Sequence, residues 1–159
     1  VCACLAAEVC ALCGRPEHAA LLFAFLEPYT ARVAMVGEFL CLGSVQRTLG
    51  ALAAQLGRWD ESELCFARAL AHARGLRSPI LSTLVQLEHA RALGRHPDSA
   101  QRARVPALLE STALAARQLG LPGVEQQAQR LAEPTADRRS TKARRVSDGI
   151  PASAQLARP

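Results

Sequence analysis

The sequence predicts an all-α solenoid of about three stacked helical hairpins followed by a terminal helix. Apolar residues recur at helical spacing along most of the chain, and turn glycines stand at Gly14, Gly57 and Gly94. Hydrophobic residues make up 50% of the chain but aromatic residues only 4%, so the core must consist of small and aliphatic side chains. A helical hairpin cannot bury its apolar face alone, and such hairpins therefore stack on copies of themselves.

The first predicted hairpin joins a helix of about residues 4–13 to a helix that Pro28 ends. Gly14 closes the first helix because glycine adopts the left-handed cap conformation most easily. Pro16 stands in the first turn of the second helix, where its missing N–H costs no hydrogen bond. The core stripe of this helix is Ala19, Leu22, Phe23 and Leu26. The segment from Tyr29 to about Leu40 is predicted to be the least regular connection.

The second hairpin is the clearest in the sequence. Its first helix carries an apolar stripe of Val45, Leu49, Leu52, Ala53 and Leu56 and is closed by Gly57. Asp60 and Glu63 have the spacing of a capping box, in which each side chain accepts from the other residue's backbone N–H. The second helix therefore begins at this point and continues to Arg74.

The third hairpin begins with Ser78 as N-cap and Pro79 in the first turn, and its first helix ends at Gly94. Residues 98–104 are predicted to form an early, irregular helical turn, because Pro106 cannot stand in an undisturbed helix interior. The second helix then begins near Val105 and ends at Gly120. A short last helix, opened by Pro122, would cover the end of the stack.

The sequence divides into a repeat domain, residues 1–133, and a basic tail, residues 134–159. The net charge of the chain is +5, and six of the 19 basic residues but only two of the 14 acidic residues follow Glu133. The tail is rich in Ser, Thr, Pro, Ala and Arg and cannot bury enough apolar surface to offset the entropy of ordering, so we expect it to be disordered.

The central hairpin matches the tetratricopeptide motif. Gly50, after Leu49, permits a close helix crossing, Trp59 takes the aromatic turn position, and Phe66 and Ala69 take the large and small positions of the second helix. Ser62 and Arg74 depart from the motif, which usually has alanine and proline there. The first copy keeps Ala7, Ala19 and Phe23, and the third is degenerate, with Val105, Leu109 and Thr112. The turn glycines are 43 and 37 residues apart, somewhat more than the 34 of an ideal tetratricopeptide repeat. The resemblance implies a tetratricopeptide-like right-handed α-solenoid.

Two stretches, LCGRPEHAALLFAFLEPYTAR and CLGSVQRTLGALAAQLGRWDESELCFARAL, carry a narrower resemblance. Together with LEHARALG and ALLESTALAARQLGLPG, they resemble the C-terminal helical repeat region of large bacterial signal-transduction ATPases. That family joins an ATPase module to such repeats, often with an adenylate/guanylate cyclase-like domain or a LuxR-type transcription regulator domain. The resemblance implies that this chain is a fragment of a larger ATP-binding parent. Its nucleotide chemistry does not carry over, since no phosphate-binding loop motif occurs in the sequence.

The expected function is a non-catalytic one: sensing or docking a protein segment, or a small effector, in the groove lined by the first helix of each hairpin. The expected groove residues are the solvent-facing members of the central helix, Gln46, Arg47 and Gln55. Other domains of the parent chain are further expected partners. The alternative is that the chain is the C-terminal part of a cyclase or an ATP-binding regulator whose catalytic domains lie upstream.

The sequence does not favour a metal site, a cofactor site or a catalytic site. Cys10 and Cys13 with His18 form the only metal-like cluster, but a structural zinc site needs four converging ligands, and we expect no metal and no cofactor. The six cysteines are interpreted as reduced core residues, and the four histidines are expected on helix surfaces or in turns. No nucleophile can be paired with a base, so we expect no enzyme activity in this chain.

Membrane and nucleic-acid partners are also not expected. No apolar run reaches the roughly 18 to 20 residues of a spanning helix, and no export signal is recognisable, so we expect a cytoplasmic protein. The basic run from Arg138 to Arg145 could contact nucleic acid, but it has no aromatic residues to stack on bases and is more typical of a solvated linker.

Overall fold

The computed structural model describes residues 2–36 and 40–133, and this part of the chain is mostly helical. The basic tail, 134–159, lies outside the described residues, so the prediction of disorder there stays a prediction. The helices within the described residues are α1 (Cys2–Cys13), α2 (Pro16–Leu26), α3 (Val45–Gln55), α4 (Trp59–Gly75), α5 (Pro79–Leu93), α6 (Ser99–Arg102), α7 (Val105–Gln118) and α8 (Pro122–Ala132). A 3₁₀ turn, Glu27–Tyr29, follows α2, and two strands, β1 (Val33–Val36) and β2 (Leu40–Ser44), precede α3.

Helices that follow one another in the chain pack on one another, with the four-residue α6 excepted: α5 packs on α7. In addition α1 packs on α3, α3 on α5, and α5 on α8. The turns at Gly14 and Gly57 have positive φ angles of 68° and 72°, which glycine adopts without a Cβ clash. The predicted helices are thus present in the predicted order.

Most predicted helix boundaries agree with the structure, but the capping box does not form. Ser78 caps α5 by accepting from the Leu81 N–H at 3.3 Å, and Asp98 caps the short α6. By contrast α4 begins at Trp59, Arg58 is its N-cap residue, and no side chain caps it. Glu63 instead reaches the neighbouring helix α5, so the prediction of the box was wrong.

The connection after α2 contains an antiparallel β-hairpin that the sequence analysis did not predict. β1 pairs with β2, and the register shifts between Ala34 and Met35, which is the signature of a β-bulge. β2 runs directly into α3, where Ser44 is the N-cap and its hydroxyl accepts from the Gln46 N–H at 3.2 Å. Ala34 is buried in the cluster formed by α1, α2 and α3, so the hairpin is part of the core.

Three apolar clusters lie at successive junctions between the helices. The first joins α1, α2, the β-hairpin and α3, and includes Cys65 of α4. The second is built on Phe66 and Ala69 of α4 and Val85 of α5. The third joins Leu87 and Ala90 of α5 to α7 and α8. The three clusters therefore follow the order of the helices, and every described α-helix except the four-residue α6 contributes to one of them.

Candidate functional site

None of the three predicted groove residues is fully exposed, and Arg47 and Gln55 are half-buried. Gln46 is buried, and its Oε1 atom has no hydrogen-bond partner. Arg47 donates from Nη2 to the Glu8 carboxylate at 2.5 Å and to the Leu42 carbonyl at 3.1 Å. Gln55 donates from Nε2 to the Cys10 carbonyl at 2.9 Å. The expectation of exposure was wrong because α1 and β2 lie against this face of α3, and Arg47 and Gln55 bind α3 to them.

The surface between α1, α3 and α5 is a narrow cleft rather than an open groove. Its volume is about 40 Å³, well below the roughly 300 Å³ at which ligand pockets begin. Glu8, Arg47 and Glu88 line it together with small side chains. Arg95, after α5, donates to the Ala11 carbonyl of α1 at 3.3 Å and so links the first and third hairpins. A chain segment has no room here.

Two larger cavities flank the first helical hairpin, α1–α2. The outer cavity, about 460 Å³, opens between α1 and α2; its lining consists of Ala6, Val9, Cys10, Arg15, His18, Leu21 and Leu22. The hairpin cavity, about 410 Å³, lies between the start of α1, the end of α2 and the β-hairpin. Phe25, Tyr29, Arg32 and Met35 are exposed members of its lining. Sequence reasoning missed both cavities, although large apolar residues off the core stripe of α2 were a signal for them.

The residues predicted to carry the repeat lie at helix contacts and turns. Phe23, Phe66 and Ala69 are buried, and a Cβ atom on Gly50 would stand 3.0 Å from the Phe66 ring. Trp59 packs against the second cluster, and its ring centroid lies 4.5 Å from that of His96 in the next turn. Ser62, where the motif has alanine, donates from its hydroxyl to the Gly50 carbonyl at 2.8 Å and so links α4 to α3.

His89 is buried, contrary to the expectation that all histidines lie on surfaces. Its ring stacks on Phe66 with centroids 4.9 Å apart, and its Nε2 atom lies 2.8 Å from the Glu63 carboxylate. The imidazole therefore satisfies a polar group at the α4–α5 junction while covering an aromatic face. Arg104 lies 3.7 Å from the same Glu63 carboxylate, and we interpret this group of contacts as structural.

The cysteines and histidines form no metal site among residues 2–36 and 40–133, where no group of three or more His, Cys, Asp or Glu side chains could hold an ion. Cys4, Cys10 and Cys65 are buried, as expected, whereas Cys2 is exposed and Cys41 is half-buried. The side chain of Cys13 lies outside the described part. None of the helices in that part is long and apolar enough to cross a bilayer.

Cysteine alkylation should follow burial. Burial raises the pKa of the Cys65 thiol, and the nearby Glu61 carboxylate raises it further, although Arg68 opposes the shift. Because the thiolate is the reacting form, iodoacetamide at neutral pH should label Cys65 about tenfold or more slowly than the exposed Cys2. Peptide mass mapping over time measures both rates. Equal rates would show that the α3–α4 junction opens readily.

No family model matches this sequence, and neither the curated proteins nor the solved structures give a match.

Proposed function

We propose that the chain is a non-catalytic, tetratricopeptide-like repeat module, a right-handed α-solenoid that docks a protein segment. Two features support the repeat. The turn glycines Gly14 and Gly57 share a positive φ, and Phe23 and Phe66, 43 residues apart like the glycines, are both buried. The row of contacts from α1 through α3 and α5 to α8 is the packing that stacked hairpins require.

The hairpin cavity is the binding surface that supports docking best. Its volume of about 410 Å³ falls within the range of ligand pockets, and Phe25, Tyr29 and Met35 leave apolar surface exposed around it. Tyr29 combines an apolar ring with a polar hydroxyl, as do many side chains at protein interfaces. Arg32 provides a positive charge at the same place. A peptide with a large apolar residue beside an acidic one fits this combination.

Selection from a displayed library of random 12-residue peptides on the full chain tests the proposal. Enriched peptides should carry an apolar anchor next to Asp or Glu. Their affinity should fall about tenfold or more in the double variant Tyr29→Ala, Met35→Ala, because the loss of two apolar contacts at an interface commonly costs that much. Arg32→Glu should weaken the acidic peptides in particular.

The matched control is the double variant Leu76→Ala, Leu114→Ala, which removes two side chains that are also half exposed but lie far along the chain from the cavity. It should bind the selected peptides like the original chain. Enrichment of no peptide, or peptides that bind equally to both double variants, would refute docking at the hairpin cavity.

A small apolar effector is the second candidate for the same cavity, since its volume also suits a drug-sized molecule. A thermal-shift screen with small aromatic and aliphatic acids separates the two candidates: stabilisation that Tyr29→Ala abolishes would favour the effector.

The place of this module in a larger protein is also a proposal and rests on the sequence resemblance. The parent would be a bacterial signalling ATPase, cyclase-linked ATPase or transcription regulator in the cytoplasm, with its nucleotide site outside this chain. The gene upstream of this segment tests it: a phosphate-binding loop or a cyclase motif in the same reading frame supports the assignment, and an unrelated frame without either refutes it.

A further inference from the structure

The outer cavity lies on a face of the first helical hairpin, α1–α2, that no described helix covers. Val9 is 59% exposed and Leu21 is 71% exposed, although both are large aliphatic residues on well-formed helices. The lining is apolar apart from Arg15 and His18, which stand at its rim. Contiguous exposed apolar surface of this kind marks a contact site for another group.

The second helical hairpin, α3–α4, indicates what would fill the outer cavity, because another helix covers most of its equivalent surface. Adding 43 to the residue numbers of the cavity superimposes Gly14 on Gly57 and Phe23 on Phe66. Val9 then corresponds to Leu52. The whole lining corresponds to Leu49, Leu52, Ala53, Arg58, Glu61, Leu64 and Cys65. Of these, Leu49, Leu52, Ala53 and Cys65 are buried in the cluster that also contains Phe23 and Leu26 of α2. Leu64, the equivalent of Leu21, stays 49% exposed, whereas Leu52, the equivalent of Val9, is fully buried.

The occupant of that equivalent surface is therefore α2, which packs on α3. Its Phe23 ring lies under the Arg58 guanidinium, 5.3 Å from ring centroid to the guanidinium carbon, which is a cation–π contact. Arg58 corresponds to Arg15 of the outer cavity. An aromatic side chain is thus the group that Arg15 is placed to cover.

The next junction repeats the arrangement. Phe66 of α4, the equivalent of Phe23, stacks on His89 of α5. His89 stands 37 residues after Leu52, which is also the spacing between Gly57 and Gly94. Phe23 thus shares a cluster with Leu52, and Phe66 stacks on His89, the equivalent position in the next hairpin. The outer cavity continues this series of interfaces.

We propose that the outer cavity binds an amphipathic helix of a partner protein that has the pattern of α2: an aromatic residue over Arg15 and an aliphatic residue three positions later. Because the Arg15 guanidinium is a cation, an acidic residue beside the aromatic one would complement it, in competition with Glu17, which lies 3.8 Å from Arg15. A second copy of this chain cannot supply its own α2, since Phe23 and Leu26 are already buried. The proposal rests on the repeat architecture proposed above.

A synthetic peptide of residues 16–29, labelled with fluorescein, is the probe. Fluorescence anisotropy on titration with the full chain should show saturable binding. In the peptide, Phe23→Ala should weaken binding about tenfold or more, since it removes the buried anchor. Phe25→Ala removes a phenylalanine from the opposite side of the same helix, which is exposed in the protein, and should change the affinity less than about twofold.

Variants of the protein locate the site. Val9→Asp should weaken peptide binding about tenfold or more, because it places a carboxylate in the apolar lining at the position whose equivalent, Leu52, is fully buried. Leu114→Asp is the matched control on exposed surface of α7 and should bind like the original chain. Arg15→Ala should weaken binding about two- to fivefold through loss of the cation–π contact. Circular dichroism and cooperative thermal unfolding verify that each variant is folded.

Absence of binding overturns the proposal, and so does binding that Val9→Asp leaves unchanged, since the peptide would then be replacing α2 inside the fold. Sedimentation that shows a dimer dissolved by Val9→Asp would assign the face to a second copy instead. If selected peptides bind the hairpin cavity but the peptide of residues 16–29 does not bind the outer cavity, only the present inference fails and the proposed docking function stands.

Discussion

Phe66→Ala is expected to lower the free energy of unfolding by about 3 to 5 kcal/mol, the cost of emptying a fully buried phenylalanine site. Phe66 has no exposed surface. Its ring packs against α3 at Gly50 and stacks on His89 of α5. The cavity would open between α3, α4 and α5 at once. Urea denaturation followed by circular dichroism measures the change.

Phe25→Ala is the matched control for this truncation, because Phe25 is 60% exposed. It should change the free energy of unfolding by less than about 0.5 kcal/mol. A loss of under about 1 kcal/mol for Phe66→Ala would contradict the packing described here, since only a site that collapses completely or is already open could tolerate the truncation so well.

Gly50→Leu is expected to destabilise the fold by about 3 kcal/mol or more. A Cβ atom at Gly50 already stands 3.0 Å from the Phe66 ring, and the remaining leucine atoms would have to displace a ring that is surrounded on all sides. Overpacking of a dense core commonly costs about 1 to 3 kcal/mol, and here it also forces α3 and α4 apart. Thermal unfolding monitored by circular dichroism checks the prediction.

The first hairpin supplies the control for this position. Ala7 stands 43 residues before Gly50, and Phe23 stands 43 residues before Phe66; both are buried in one cluster. Gly50→Ala should therefore stay within about 1 kcal/mol of the original chain, because the gain in helix propensity offsets the strain of one methyl group. If Gly50→Leu were equally mild, α3 and α4 would not be in close contact at this crossing.

The helices were predictable from the sequence because their signals are local. Turn glycines, first-turn prolines and a 3.6-residue apolar period act within one element, and Ser78 and Pro122 open helices where their chemistry requires. The β-hairpin was missed since its strands are four and five residues long, and their pairing is a contact between segments. The apolar run at Val33–Val36 was its only local sign.

Interactions between elements explain the other differences. Glu63 has the spacing of a capping residue, but α4 begins at Trp59, one residue before Asp60, and the Glu63 carboxylate lies 2.8 Å from Nε2 of His89 in α5. Gln46, Arg47 and Gln55 have the polarity of groove residues, and their periodicity shows only that they lie off the main stripe of α3. Which helix covers that face is decided by the packing of α1, which no pattern within α3 reports.

The two cavities illustrate the same limit for the candidate site. In the sequence, Val9 and Leu21 are large aliphatic residues of the kind that fill a core. Only the arrangement of α1 and α2 shows that their side of the helical hairpin is open. The shared spacing of 43 residues between Gly14 and Gly57 and between Phe23 and Phe66 was nevertheless visible in the sequence. The occupant proposed for the outer cavity follows from that spacing together with the packing of α2 on α3.

The tilted pair of rings at Trp59 and His96 has a practical consequence. The chain contains one tryptophan and one tyrosine, so Trp59 emission reports on the meeting point of the second and third hairpins, whereas Tyr29 absorbance reports on the end of the first. Two chromophores at separate places make it possible to watch both regions melt in a single sample. Coincident curves would indicate all-or-none unfolding, and separated curves would indicate that the array unravels from one side.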